Sequence, residues 1–275
     1  MKRLIVLLIS VLVVTACATS PTGRRQLMLV SPEQAISASK TAYIQQMRAF
    51  DEEGQLSRDP ELIARINTIT GRLVAQAIAA RPDTADWEWS VEVIEDPDTV
   101  NAWCMAGGRM AIYTGLIDQT QATDDEIAQV MGHEIAHALA NHTAERMSVA
   151  MVSQLGVVAA GAASRDVGVM AGAAAAAKLA VGLPNSRASE READRIGIEL
   201  AARAGYDPRA AATLWAKMAE VGGEGPPQFL STHPAPGNRQ ETLSALAPSM
   251  MPYYEAPGDR PVYALRPGEY GTSGS

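Results

Sequence analysis

Two histidines stand four residues apart, His133 and His137, and bracket a glutamate in the run His133-Glu134-Ile135-Ala136-His137. On a helix such positions share one face, so both imidazoles can reach one ion. Glu134 lies one position round, close to that ion without being obliged to bind it. The position suits a general base: a bound zinc lowers the pKa of its water toward about 7, and the carboxylate takes the proton. The plain alternative is two exposed helical histidines beside an unrelated acid. With only 4 histidines in 275 residues, this spacing around a glutamate is improbable by chance.

A catalytic zinc takes three protein ligands and keeps one position open. The candidates for the third are His142, His233 and an acid further along the chain. His142 is five residues beyond His137, which turns it about 140° away from the ligand face. Glu190 is the better candidate, because Glu190 and Asp194 in Ser186-Arg187-Ala188-Ser189-Glu190-Arg191-Glu192-Ala193-Asp194 share a helix face. Ala193, Ile196, Leu200 and Ala204 give that helix its apolar stripe. Asp194 can accept the second ring N–H of a zinc histidine and so fix its tautomer. Glu192, about 200° round from Glu190, points away. Cys104 reads as a small buried strand residue, not as a ligand.

These residues need elements to hold them. Ser31-Pro32-Glu33 starts a helix to about residue 50, and Asp59-Pro60-Glu61 starts a second with Leu62, Ile66, Ile69 and Leu73 along one side. Trp87, Trp89, Val91 and Val93 alternate with polar residues, the period of a half-buried strand. Residues 100–105 and 109–114 read as two more short strands around Ala106-Gly107-Gly108. Thr123-Asp124-Asp125-Glu126 is a capping box that opens the histidine helix, expected to continue to about Met147. Residues 149–183 are rich in Ala, Gly, Val and Met, and suggest two helices forming a lid. Arg165, Asp166 and Lys178 interrupt that run, which disfavours a membrane-dipping role. A helix over 186–204 carries Glu190, Gly205 ends it, and Asp207-Pro208 begins the next. Residues 222–227 read as a loop, and the Pro- and Gly-rich residues 248–275 as a poorly structured tail.

The formal charge of −8 and the lack of a basic tract exclude nucleic acid as a partner. Lys2 and Arg3 precede the short apolar run 4–14, the pattern of an export signal and too short for a membrane span of roughly 20 residues. Val14-Thr15-Ala16-Cys17 resembles a bacterial lipobox, which implies cleavage before Cys17 and lipid attachment to it. Ala18 after the cysteine implies retention at the outer membrane, facing the periplasm. Export leaves Cys104 as the one remaining thiol, so no internal disulfide stabilises the chain.

The histidine run, Ser186-Arg187 and Glu190-x-x-x-Asp194 together resemble the gluzincin zinc peptidases related to the type I CAAX prenyl protease. The similarity extends over residues 62–246 and is closest to the bacterial outer-membrane lipoprotein branch. It implies an α+β, zincin-like fold, mostly helical with a small twisted sheet, one zinc ion per chain, and peptide hydrolysis. Asn101, Ala102, Gly107 and Gly108 resemble the segment lining the substrate cleft, where an extended peptide pairs with an edge strand. Met105-Ala106 stands where the family usually has a proline before two glycines. Thr232-His233-Pro234 with Arg239 also resembles the family. That match implies His233 near the zinc, donating to the oxyanion or occupying the open position, with Arg239 positioning the loop or an acid. The expected organisation is a signal peptide over 1–16, a lipidated tether over 17–30, the metallopeptidase domain over 31–247 and the tail over 248–275. The expected activity is endoproteolysis of unfolded or misassembled envelope proteins, beside the outer-membrane assembly machinery. The competing expectation is a chaperone-like lipoprotein with latent proteolysis.

Overall fold

A computed structural model describes residues 17–163, 186–221, 227–234 and 238–268. The signal peptide over 1–16 and most of the expected lid over 149–183 therefore lie outside the described residues, as does nearly all of the loop over 222–227. The chain clusters into two compact units: Met1–Ala35 with Ala140–Leu183, and Ile36–Leu139 with Pro184–Ser275.

In the first unit, β1 (Cys17–Thr19) and β2 (Arg25–Leu27) form an antiparallel hairpin. It docks on the start of helix α5 (His142–Ala163). Arg24 grips Glu145 through both guanidinium nitrogens at 2.7 and 2.6 Å, and Gln26 donates to the Ala140 carbonyl at 2.8 Å. The Val30 N–H reaches Ser148 Oγ at 2.9 Å. Residues 17–30 are thus folded onto a helix.

The second unit carries the histidine helix at its centre. Its elements are α1 (Pro32–Glu52, from Ile36 onward), α2 (Pro60–Ala80), β3 (Ser90–Ile94), β4 (Ala102–Cys104), β5 (Arg109–Tyr113), α3 (Thr114–Gln119) and α4 (Asp124–Leu139). After the first unit's α5 come α6 (Arg187–Arg203), α7 (Ala210–Glu220), α8 (Gln228–Thr232) and α9 (Arg239–Tyr254). The architecture is mostly helical with small sheets, an α+β zincin-like peptidase fold.

The sheet order is β3-β5-β4, with β3 parallel and β4 antiparallel to β5. The β4–β5 turn uses Gly107 at φ 89° and Gly108 at φ 85°, conformations that favour glycine. A Cβ on Gly108 would lie 2.5 Å from the Trp89 ring, so this turn also needs glycine for space. The unusual Met105-Ala106 preceding it is accommodated: the Met105 N–H bonds the Arg109 carbonyl at 2.8 Å.

Every residue of α4 from Glu126 to Leu139 is buried. Its N-terminus is the expected capping box, with Thr123 N–H donating to Glu126 Oε2 at 2.9 Å and Glu126 N–H to Thr123 Oγ1 at 3.3 Å. The helix stops at Leu139 instead of reaching Met147. Asn141 takes φ 55°, a left-handed conformation that asparagine tolerates better than most residues, and α5 restarts at His142.

Helix α6 crosses α4 closely, since a Cβ at Gly197 would meet the His133 backbone nitrogen at 2.7 Å. Ser186 Oγ caps α6 by accepting from the Ser189 N–H at 3.1 Å. Helix α9 continues through Pro248 and Pro252 to Tyr254. Beyond it Arg260 donates to the carbonyls of Arg203, Tyr253 and Tyr254, and Tyr263 N–H bonds Gly71. Residues 248–268 therefore pack on the unit, which corrects that part of the expected poorly structured tail; residues 269–275 lie outside the described residues. Pro248 and Pro252 lie inside the helix, so proline content did not mark its end, nor did it report the docking that follows.

Candidate metal centre

Four side chains from two helices and the end of a third converge inside the second unit. His133 and His137 come from α4, Glu190 from the first turn of α6, and His233 from the residue ending α8. One donor atom of each lies within 4.8 Å of all the others, and all four residues are buried. His133 Nε2 is 3.0 Å from His137 Nε2 and 3.3 Å from His233 Nδ1. Glu190 Oε1 is 3.3 Å from His137 Nε2 and 3.1 Å from His233 Nδ1, and its Oε2 is 3.4 Å from His133 Nε2.

This donor set fits zinc. Ligands bound tetrahedrally at about 2.0–2.1 Å stand roughly 3.3 Å from one another, near the spacings found here. Three ring nitrogens facing one another around a carboxylate cannot all be satisfied as hydrogen bonds, whereas a cation at their meeting point satisfies them together. Imidazole and carboxylate donors in this number suit zinc best among the common divalent ions. Glu134 supplies a second observation: its Oε1 is buried with no hydrogen-bond partner, and lies 3.4 Å from His233 Nε2. A water at the ion is the natural occupant of that orphaned acceptor's reach.

The surrounding groups hold the donors in place. Asp194 Oδ1 lies 3.0 Å from His133 Nδ1, the side of the ring turned away from the cluster. Arg239 donates through Nε to Asp194 Oδ1 at 3.1 Å and through Nη1 to Glu190 Oε2 at 3.2 Å, while Nη2 also contacts Asp194. Its guanidinium carbon lies 3.5 Å from the Trp215 ring centre, and the Phe229 ring stacks on His233 at 4.5 Å and 19°. Trp215 and Phe229 were not singled out from the sequence. The usable signal was the spacing of Phe229 four residues before His233; for Trp215 none exists beyond its rarity.

Electrostatics separate the two acids. Burial pushes the Glu134 carboxyl up to about 7, with the Glu190 charge adding to it and His233 and the Cys104 main chain opposing. Burial acts the same way on Glu190, but hydrogen bonds from His133, His137 and His233 overcome it and hold this carboxyl below its ordinary range. Glu190 is therefore a charged donor. Burial keeps His137 well below the usual imidazole value, a neutral ring with a lone pair to give. For His133, burial and Arg239 act downward, but hydrogen bonds to Asp194 and Glu190 raise it on balance. Burial and Glu134 raise the Cys104 thiol well above normal, so it stays protonated and is a poor ligand.

The remaining sequence candidates fall in different places. Ala102 lies on β4, the sheet edge that runs along α4, and Asn101 precedes it with Oδ1 accepting from the Ala102 N–H at 3.0 Å. Gly107 and Gly108 form the turn at the far end of that strand. His142 begins α5, is buried, and is not in the donor group. Glu192 is buried but also outside it. Cys17 begins β1, its main chain pairing with Leu27.

The model of peptidase family M48 matches residues 60–247. The chain is 33% identical over 259 residues to bovine mitochondrial metalloendopeptidase OMA1, covering 89% of this chain and 49% of the relative. It is 36% identical over 191 residues to the Arabidopsis thaliana mitochondrial metalloendopeptidase OMA1, covering 68% and 38%. The Yersinia pestis beta-barrel assembly-enhancing protease is 31% identical over 233 residues, covering 81% and 46%. The chain thus spans half or less of the length of these curated relatives. Among the described residues no helix is long and apolar enough to cross a membrane.

Proposed function

The chain belongs to peptidase family M48 and is a metalloendopeptidase, and from that premise we propose that it is a zinc endopeptidase of a bacterial cell envelope acting on unfolded or misassembled proteins. One observation carries the proposal: the partnerless Oε1 of Glu134 stands beside the meeting point of His133, His137, Glu190 and His233. His133, His137 and Glu190 would hold one zinc ion. When bound, zinc supplies Lewis acidity there, polarising a water and the scissile carbonyl. Glu134 takes the proton of the attacking water at its carboxylate and returns it to the departing amine nitrogen. The Cys104 main chain steadies Glu134 against β4, and Asp194 with Arg239 orients His133 and Glu190. The substrate lies along β4 near Asn101 and Ala102, with the Gly107-Gly108 turn at one end, adding as an extended strand. That mode selects unfolded chains over folded ones.

The envelope assignment rests on the leader and on the Val14-Thr15-Ala16-Cys17 run, with a lipid at Cys17 holding the protein to the outer membrane, facing the periplasm. The name of the Yersinia relative supports outer-membrane protein assembly as the setting; those of the OMA1 relatives point to mitochondria, so the leader carries this step. Mass spectrometry of the mature N-terminus checks it: an acylated Cys17 is expected, and an unmodified N-terminus at another residue contradicts it. For the activity, unfolded protein is expected to be cut and its folded form spared, whereas resistance of both contradicts the proposal.

His233 favours a second reading. Its Nδ1 completes a four-donor group that would close the metal's open position, and under this reading proteolysis is latent and the protein holds unfolded outer-membrane proteins. Under this reading Glu134→Gln retains all function in cells.

A further inference from the structure

The sheet has a second edge, opposite β4, and it is partly filled by the chain itself. The Ser90 N–H bonds the Gly108 carbonyl, so the even-numbered residues of β3 turn their main chain toward β5 and the odd-numbered ones turn outward. Two extended segments already use the outward groups. Arg266 N–H bonds the Trp89 carbonyl at 2.8 Å, Ser57 N–H bonds the Val93 carbonyl at 2.9 Å, and Glu95 N–H bonds the Gln55 carbonyl at 2.7 Å. Between them the N–H and C=O of Val91 face outward at an open stretch of edge, while Val93 is buried.

That stretch is the floor of a groove of about 520 Å³. One wall is Ile63, Asn67 and Thr68 of α2, the other the docked C-terminal segment with Val262 and Leu265. Val262 is 52% exposed, the most exposed large apolar residue among those described. An outward main-chain donor and acceptor on one edge residue, with Ile63, Val262 and Leu265 beside them, are the chemistry that recognises an extended polypeptide. Small polar ligands would find no buried charge here.

We infer that this groove is a second binding site for extended polypeptide, which pairs with the main chain of Val91 and holds substrate away from the metal centre. The inference rests on the proposed action on unfolded chains. The two edges of the sheet are separated by two strand spacings, about 10 Å, so a long substrate can engage both while a short peptide fills only the cleft along β4.

Two variants test it. Thr68→Trp fills the groove from an exposed position on α2, and Val91→Pro removes an outward N–H at an edge position where proline is tolerated. Each is assayed on the zinc-loaded chain with unfolded casein and with a short peptide. Casein binding is measured in parallel with Glu134→Gln added, so that no cleavage intervenes. Both variants are expected to raise KM for casein on the order of tenfold and weaken casein binding equally, leaving kcat and short-peptide turnover unchanged. Unchanged KM and binding in both overturns the second site. Weakened binding in a chain that cleaves neither substrate sinks the peptidase reading alone and leaves the groove standing.

Discussion

At the residue scale, the proposed chemistry divides among four side chains that look alike by burial but differ in charge. Glu190 is held ionised by three imidazoles, whereas burial pushes Glu134 toward neutrality without a ring hydrogen bond. One is placed to bind a cation and the other to exchange protons. Glu190→Gln is therefore expected to lose bound zinc, because a neutral amide replaces the charged donor. His233→Ala keeps about one zinc per chain, because three donors remain. Metal counting on both variants after dialysis checks this, and zinc lost from the His233 variant would make that ring an obligatory ligand. The helix-borne part of this group was legible: four-residue spacing specifies a shared face for His133 with His137 and for Glu190 with Asp194. The stacking of Arg239 on Trp215 and of His233 on Phe229 was not, because it arises between elements whose angle no local pattern encodes.

At the element scale, the site depends on how closely α6 lies against α4. A Cβ on Gly197 would stand 2.7 Å from the backbone nitrogen of His133, and one on Gly132 would stand 2.9 Å from the Gly197 carbonyl. Gly197→Ala forces the helices apart next to two metal donors. It is expected to destabilise the fold by about 1–3 kcal/mol and to lower zinc retention. A shifted urea midpoint with unchanged slope reads the first effect; an unshifted midpoint would show that the crossing can relax. The sequence marked both helices and their caps, but neither glycine carries a signal for close packing until its opposite number is known.

A second device fixes the start of α4. Burial opposes charge on Glu126, but Lys217 at 2.7 Å, the Thr123 main chain and Thr213 Oγ1 at 2.8 Å lower its carboxyl below the ordinary 4.5. A depressed carboxyl stabilises the fold fully above its unfolded value and loses that contribution as pH falls through the folded value. Urea midpoints of the zinc-free chain are expected to fall between neutral pH and pH about 3, and to fall less in Glu126→Gln. Equal acid loss in both would remove Glu126 from the account.

At the scale of the whole molecule, the two ends of the chain were read least well. The stretch over 17–30 was expected to be a tether and the Pro- and Gly-rich tail to be poorly structured, and both pack within their own units: residues 17–30 through Arg24, Gln26 and Val30, and residues 256–268 through Arg260, Tyr263 and Arg266. Polar side chains that bond to distant carbonyls leave no periodic trace, so composition alone misjudges such segments. The metal links the local site to the stability of its unit. Three donors come from two helices, so zinc binding is folding free energy for the pair, and chelation is expected to lower Tm, with re-addition restoring it. An unchanged Tm after verified zinc loss would mean that the helices hold the site without the ion.

The most direct measurement is cleavage of unfolded casein by the chain from Ala18 onward beside Glu134→Gln, with bound zinc counted in both. Cleavage by the parent alone, with about one zinc in each and a rate loss of at least 10²-fold in the variant, is the predicted result. Equal cleavage by both, or zinc in both with no cleavage by either, would contradict Glu134-dependent hydrolysis at this centre.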